Sequence, residues 1–357
     1  MHFDFKKNYR IDIRLIKRGN QAFWYGLLLL GLLLAPAVLP KYFVAQMTFI
    51  LIYSVIGAGL VVLTGVTGLV SLGHAAFVAV GAYAQAILMA RGVPLLVSLA
   101  LSGALAAMLG LVVGLPALRL RGLYLAIATF SFGFIVEILV SHWESMTGGN
   151  SGLSVPTPTL WGVAVTGALF YYLCLVVLVL CLLLVLNVLR SPTGRALRAI
   201  RDSEVSAQSM GVNLALLKTY SFVLSAALAG LGGALYAHVM TYLSPEQFGL
   251  NLSIELLMMV VIGGVVWLQG AVLGAVFVIA LPQAIAVIKD YLPPAIGQQT
   301  GLQPIVFGLV ILFFVLVEPT GLYGRWIKVR TYLELFPLCP GSVFVRERHF
   351  LRTERLK

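Results

Sequence analysis

The sequence predicts an all-α integral membrane protein: a polytopic bundle of about ten transmembrane helices, N-in/C-in, with a possible internal repeat. Three observations carry this expectation. The residues AVILMFWYC make up 60% of the chain and charged residues only 10%, against about 25% charged in a soluble domain. Too few charges are available to coat a globule of 357 residues in water. Apolar runs close to the ~20 residues that cross a ~30 Å hydrocarbon core recur along the chain. The basic residues fall in tails and short connections between those runs, the pattern of the positive-inside rule.

Ten runs qualify, near 23–39, 42–63, 71–90, 95–116, 122–141, 162–187, 217–240, 254–268, 270–288 and 303–320. The weakest boundaries lie at 64–73 and 263–270, where glycines mark tight turns or re-entrant backbone. With both ends in the cytoplasm, all of the 24 basic residues except Lys41, Arg91 and Lys289 fall on the inner side. A shift by one span would scramble this asymmetry. The chain therefore divides into a basic cytoplasmic tail (1–22), a transmembrane domain (23–324) and a second basic cytoplasmic tail (325–357). Ala35-Pro36-Ala37 after the first run resembles a signal-peptidase site. The long charged region before it and Pro36 between the small residues favour an uncleaved first span.

Several function classes drop out. The net charge of +11 does not indicate nucleic acid, because the basic residues sit in tails and short loops between apolar runs, the positive-inside pattern. Cys174, Cys181 and Cys339 form no CxxC pair or disulfide framework, and the five histidines show no metal-ligand spacing. There is no Gly-Lys pair and hence no phosphate-binding loop, nor any nucleophile–base pair. The expectation is a non-catalytic membrane subunit without cofactor or metal, with lipid as one partner.

Two connections are more than turns. The outer one, 142–161, contains Thr147-Gly148-Gly149-Asn150-Ser151-Gly152, Pro156 and Pro158. The inner one, 190–216, starts with Ser191 as an N-cap and Pro192 in the first turn, and Gly211 stands where a helix would stop. Leu197 and Ile200 form one apolar face, with Arg195, Arg198, Arg201, Asp202 and Glu204 expected outside. This segment reads either as a solvated loop helix or as a docking element for a cytoplasmic partner. Within the spans, Thr64, Thr67, Ser71 and His74 cluster at a break beside Gly73, and Gly263-Gly264 marks another. Loosened helix ends of this kind present backbone amides and carbonyls to a zwitterion; a structural role is equally open. Gly65-Val66-Thr67-Gly68, Gly73 and Gly81 loosely echo Gly263-Gly264, Gly270 and Gly274, the basis of the possible repeat. The carboxylates in or near spans (Glu137, Glu255 and Glu318) lie close to span ends, so no midplane carboxylate points to proton or sodium coupling.

Over roughly 45–324 the chain resembles the branched-chain amino acid ABC transporter permeases, in particular the LivM-type subunit. The resemblance rests on Leu72-Gly73-His74-Ala75-Ala76-Phe77 with Gly81-Ala82-Tyr83, on Arg121-Gly122-Leu123-Tyr124-Leu125-Ala126-Ile127-Ala128-Thr129, and on Thr147-Gly148-Gly149. It continues through Gly194-Arg195-Ala196-Leu197-Arg198-Ala199-Ile200-Arg201 to Met210-Gly211, then Ser225–Gly230 and Gly233–Ala237. Pro245-Glu246-Gln247-Phe248, Ser253-Ile254-Glu255 and Gly321-Leu322-Tyr323-Gly324 complete it. The family implies a bacterial inner-membrane importer in which a second homologous permease subunit pairs with this one. It also implies two cytoplasmic ATPase subunits and a periplasmic substrate-binding protein.

On that resemblance Arg195, Arg198, Arg201, Glu204, Ala207 and Gly211 belong to the ATPase-coupling loop. Thr64, Thr67, Ser71, Gly73, His74, Thr129, Gly263 and Gly264 are the candidate substrate path. Val205-Ser206 departs from the Glu-Ala of the general importer motif, Phe134 stands where many relatives carry an acid, and Val266-Trp267-Leu268-Gln269 replaces Gly-Ser-Leu-Trp. The implied solute is a branched-chain or other apolar amino acid. Urea, amides or aromatic acids within the same family, or a secondary carrier or channel acting alone, are the alternatives.

Overall fold

The structure is a computed structural model that describes residues 19–117, 120, 122–160, 162–291, 302–318 and 320–335. Most of both basic tails, with Arg119 and Arg121, lies outside the described residues. The long helices are α1 (Gly19–Val38), α2 (Lys41–Leu60), α3 (His74–Ala90), α4 (Leu95–Ala117), α5 (Leu123–His142) and α6 (Ala168–Arg190). After the short α7 (Pro192–Asp202) and α8 (Glu204–Ser209) come α9 (Leu214–Met240), α10 (Leu250–Gly263), α11 (Leu268–Tyr291), α12 (Leu302–Val317) and α13 (Gly321–Leu335). A π-helical turn, Val61–Val66, extends α2.

Each of the ten expected runs thus carries a helix. Among the described residues seven stretches are long and apolar enough to cross a membrane: Lys41–Val66, Leu95–Pro116, Leu123–His142, Ala168–Arg190, Leu214–Met240, Pro245–Gly263 and Leu268–Ala286. Phe23–Val38 and His74–Ala90 are shorter apolar helices. The outer faces of these helices are apolar too: Leu101, Leu105, Met108 and Leu115 on α4, Ile127, Ile135 and Leu139 on α5, and Val176 and Leu180 on α6 are exposed. Such a surface is stable only against hydrocarbon or another apolar surface. The chain is an all-α, multi-pass membrane protein.

Helix α9 organises the bundle. It packs against α4, α3 and α2, while α10 and α11 form a hairpin that leans on α2. Close approach is bought with missing side chains: a Cβ on Gly81 would overlap the Gly230 backbone, and one on Gly233 would overlap the Val78 carbonyl. Small-residue contacts of this kind are how apolar helices associate where no hydrophobic force separates them from lipid. A polar node sits inside the same interface. Gln85 donates to Ser98 Oγ at 2.9 Å and meets His238 Nε2 at 3.0 Å, and Ser102 donates to Gln85 Oε1 at 3.2 Å.

The structure differs from the expected boundaries in two places. The sixth run starts at Ala168, because Thr159–Leu160 and Val163–Ala164 (β2 and β3) pair as a small antiparallel hairpin around Gly162. The eighth run ends at Gly263 and does not continue to 268, because Gly264 takes φ +116°. Leu153–Ser154 (β1) also pairs antiparallel with Tyr242–Leu243 (β4), and Tyr242 Oη donates to the Ser151 carbonyl. These contacts stitch the 144–167 connection to the far end of α9.

Candidate functional site

The inner connection is an amphipathic pair of helices, not a single one. Ser191 Oγ accepts from the Gly194 amide at 3.3 Å and Pro192 follows it, so α7 begins as its sequence dictates. Leu197 and Ile200 are buried, with Arg195 and Arg198 exposed. The helix stops at Ser203 (φ −162°), whose hydroxyl accepts from the Ser206 amide and caps α8. Ala207 is buried under α8. Gly211 ends the segment with φ +82°, a left-handed stop open only to glycine at low cost.

Arg201 is exposed as expected yet reaches back to the bundle, and Glu204 is half-buried. Arg201 Nη1 donates a 2.6 Å hydrogen bond to the Gly65 carbonyl in the π-helical turn. Glu204 forms a 2.6 Å ion pair with Lys218, a lysine only 2% exposed. The Arg201 bond satisfies a carbonyl at a helix C-terminus, where a cation also suits the dipole.

The π-helical turn opens the first break, which runs to Gly73. Thr64 Oγ1 donates to the Leu60 carbonyl at 2.6 Å, and Thr67 Oγ1 donates to the Val62 carbonyl at 3.0 Å and to Ser221 Oγ at 2.9 Å. Thr129 Oγ1 accepts from the Leu72 amide at 3.0 Å, and no Cβ fits at Gly73 against the Thr129 carbonyl. At the start of α3 the Ala75 amide donates to Ser253 Oγ at 3.1 Å. Ser71 and His74 are wholly buried, and neither the serine hydroxyl nor either imidazole nitrogen has a hydrogen-bond partner among the described residues.

The second break, Gly264–Trp267, lies against the first: a Cβ on Gly65 would overlap the Val265 carbonyl. Gly263 packs on Gly270, and the Trp267 amide donates to the Gly264 carbonyl at 3.1 Å. Helix α13 closes over this turn, with Trp267 and Tyr323 rings 5.6 Å apart. Glu318 holds the start of α13 through Lys328 at 2.6 Å and Arg325 at 3.1 Å. The hydrogen bond from Lys328, above all, keeps the Glu318 carboxyl below its ordinary pKa, with Thr320 and Arg325 adding to the effect.

The predicted path residues therefore line the two breaks, Thr64, Thr67, Ser71, Gly73, His74 and Thr129 around the first and Gly263 and Gly264 at the second. The arginine-bearing helices reach the same place through Arg201. Sequence reasoning gave no site role to Lys218, Ser221 or Ser253, although Ser253 stands in one of the motifs that carry the resemblance. The serines carry a local signal, since a Ser at i and i+4 (Ser221, Ser225) inside an apolar run marks a polar stripe. Lys218 stands alone, fourteen positions from its partner. Among the described residues no group of three or more His, Cys, Asp or Glu side chains converges as a metal site would require. What the arrangement can do is mechanical: two broken helices meet through backbone, and a surface helix grips one of them.

A family model for the permease component of branched-chain amino acid transport systems matches residues 42–315. The high-affinity branched-chain amino acid transport system permease protein LivM of Salmonella typhimurium is 35% identical over 282 residues, covering 72% of this chain and 66% of the relative. LivM of Escherichia coli K12 is 34% identical over the same length and shares. The chain thus spans just under two thirds of the length of these relatives. The permease protein LivH of E. coli K12 is 25% identical over 307 residues, 80% of this chain and 96% of LivH. No solved structure matches.

Proposed function

Because the chain belongs to the family of permease components of branched-chain amino acid transport systems, we propose that it is the permease subunit of an ATP-driven importer for branched-chain or other apolar amino acids. The observation that carries the mechanism is the Arg201–Gly65 bond. A partner that moves α7 pulls directly on the π-helical turn at the end of a membrane helix, and that turn lies against the second break at Val265. ATP binding in the partner ATPases would shift α7 and α8, the two breaks would separate or close together, and the solute path would open to one side at a time.

The wider assembly is read from the family and from charge. LivM and LivH both resemble this chain, which supports pairing with a second, homologous permease. Two cytoplasmic ATPases and a periplasmic binding protein complete the complex in a bacterial inner membrane. Ten spans between the tails at 1–22 and 325–357, N-in/C-in, accord with the inner bias of the basic residues. The matching breaks after α2 and α10 accord with an internal repeat.

Reconstitution tests the reading. Liposomes holding the full complex should accumulate leucine only with ATP inside, whereas the isolated subunit should take up none under a pH or sodium gradient. Gradient-driven uptake by the subunit alone would establish a secondary carrier. ATP-driven uptake of urea, amides or aromatic acids in place of leucine would move the solute class.

A further inference from the structure

A narrow crevice lies just beyond the end of the first break, between α3, α5 and the loop that follows β4. Ala76, Ala79 and Tyr83 line it from α3, Val136 and Glu137 from α5, and Phe248 from the loop. On each helix these positions share one face. In this conformation the crevice is shut to a sphere the size of water. Its polar inventory is nevertheless unusual for a packed apolar seam. The Tyr83 hydroxyl is buried, in a residue 3% exposed, and has no hydrogen-bond partner among the described residues. Glu137 is a half-buried carboxylate inside an apolar helix, a placement that is costly unless it serves a partner.

The third element is the start of α10. A Cβ built on Gly249, its N-cap, would meet the two Glu137 carboxylate oxygens at 3.2 and 3.3 Å. No side chain caps this helix end. Its first-turn amides carry the positive end of the helix dipole, which suits a carboxylate. An anion acceptor and an anionic side chain therefore stand side by side, with an idle phenol hydroxyl beside them and an aliphatic and aromatic wall around them.

We infer that this crevice, once opened, takes a zwitterionic amino acid with a compact aliphatic side chain. Its ammonium lies between the Glu137 carboxylate and the Tyr83 hydroxyl, and its carboxylate lies on the α10 amides. Its side chain lies against Ala76, Ala79, Val136 and Phe248. The inference rests on the importer reading above and adds the residues that recognise the solute inside the membrane. The same ammonium–anion pair occurs in a phosphatidylethanolamine headgroup, so the test must separate a solute from a lipid.

The probe is a cysteine at Ala79, in a chain whose native cysteines are replaced by alanine. It is assembled with its partners in nanodiscs of phosphatidylglycerol, which has no ammonium, and labelled with a thiol reagent during ATP turnover. Leucine should slow labelling, and its desamino analogue 4-methylpentanoate should not. Glu137→Gln should raise the leucine concentration needed by about tenfold or more, and Tyr83→Phe, which keeps the ring, by a smaller factor; this is the scale of one charge-assisted hydrogen bond. Several results overturn the inference while leucine uptake remains ATP-driven. They are absence of leucine protection, protection that appears only when phosphatidylethanolamine is added, or protection unchanged in both variants. The last would make Glu137 merely a dipole partner of α10. Absence of ATP-driven leucine uptake by the parent complex would instead overturn the importer reading.

Discussion

Lys218 buries its ammonium against Glu204: Nζ lies 2.6 Å from Oε1, and the lysine side chain is 2% exposed while the glutamate is 23% exposed. The pair joins the start of α8 to the first turns of α9, at the root of the segment proposed to meet the ATPase. A buried charge pair need not add net stability, but losing one member strands the other.

Glu204→Gln should therefore lower stability by about 3 kcal/mol, the low end for a broken buried pair because Glu204 is partly solvated. The double change Glu204→Leu with Lys218→Met should return to within about 1 kcal/mol of the parent. Thermal unfolding in detergent reads both. A single variant as stable as the parent would show that the lysine finds another partner.

Gly211 has φ +82°, and a Cβ there would meet nothing within 4 Å. Gly211→Val is thus a conformational change alone, costing about 1–2 kcal/mol at that residue. Membrane insertion and pairing with the sister permease should persist, while solute-stimulated ATPase activity and uptake fall. Arg198→Glu, on the exposed face of α7, should act on the same two readouts through charge. Parent-like values for both variants would leave the segment as a solvated loop.

The sidedness of the chain is open to a direct assay. A cysteine at Asn150, exposed in the 144–167 connection, should react with an impermeant thiol reagent from outside intact cells. One at Ser203 should react only after permeabilisation. The reverse order would invert the proposed topology.

Glu318 supplies a pH dependence. Its carboxyl titrates below the ordinary value of 4.5, chiefly because Lys328 donates to it at 2.6 Å. A depressed folded-state pKa means the ionised form is favoured by folding. The contribution is present above the unfolded value and is lost as pH falls through the folded one. The protection of amides over 321–335, measured against their intrinsic exchange rate at each pH, should hold from neutral pH to about 5 and fall below the carboxylate range. In Glu318→Gln protection should be low at neutral pH already, with no acid step.

Some of this was legible in the residues and some was not. Apolar runs located the long apolar helices because lipid demands about 20 apolar residues whatever the partner, but not α13, which crosses the expected start of the basic tail at 325. Ser191, Pro192 and Gly211 were legible as cap and stop because capping is local chemistry. The break at Ser203 carried the same signal, a serine ahead of Glu204, but the cap at Ser191 and the stop at Gly211 were read as the two ends of one helix. Arg201 is the surface charge it looked like, but its bond to Gly65 and the Glu204–Lys218 pair were not legible, since polarity says nothing of a partner that arrives from another helix. The candidate path residues were found as a cluster around Gly73, yet their meeting with the Gly264 turn rests on the Gly65–Val265 contact, two hundred residues apart in the chain. Contacts of that range leave no mark on local periodicity.

The place of α9 in the bundle also sets an order of events during synthesis. Helices α2, α3 and α4 leave the ribosome well before Leu214, and the groove between them is shaped by Gly81, Val78 and Ile56 to admit a helix carrying Gly230, Gly232 and Gly233. Until α9 arrives, that groove and the Gln85–Ser98–Ser102 cluster face lipid or a chaperoning insertase with their fourth member, His238, missing. The early helices thus wait half-assembled. A substitution that enlarges Gly230 or Gly233 would be felt as a nascent chain that never closes and is handed to membrane proteases, before any question of transport arises.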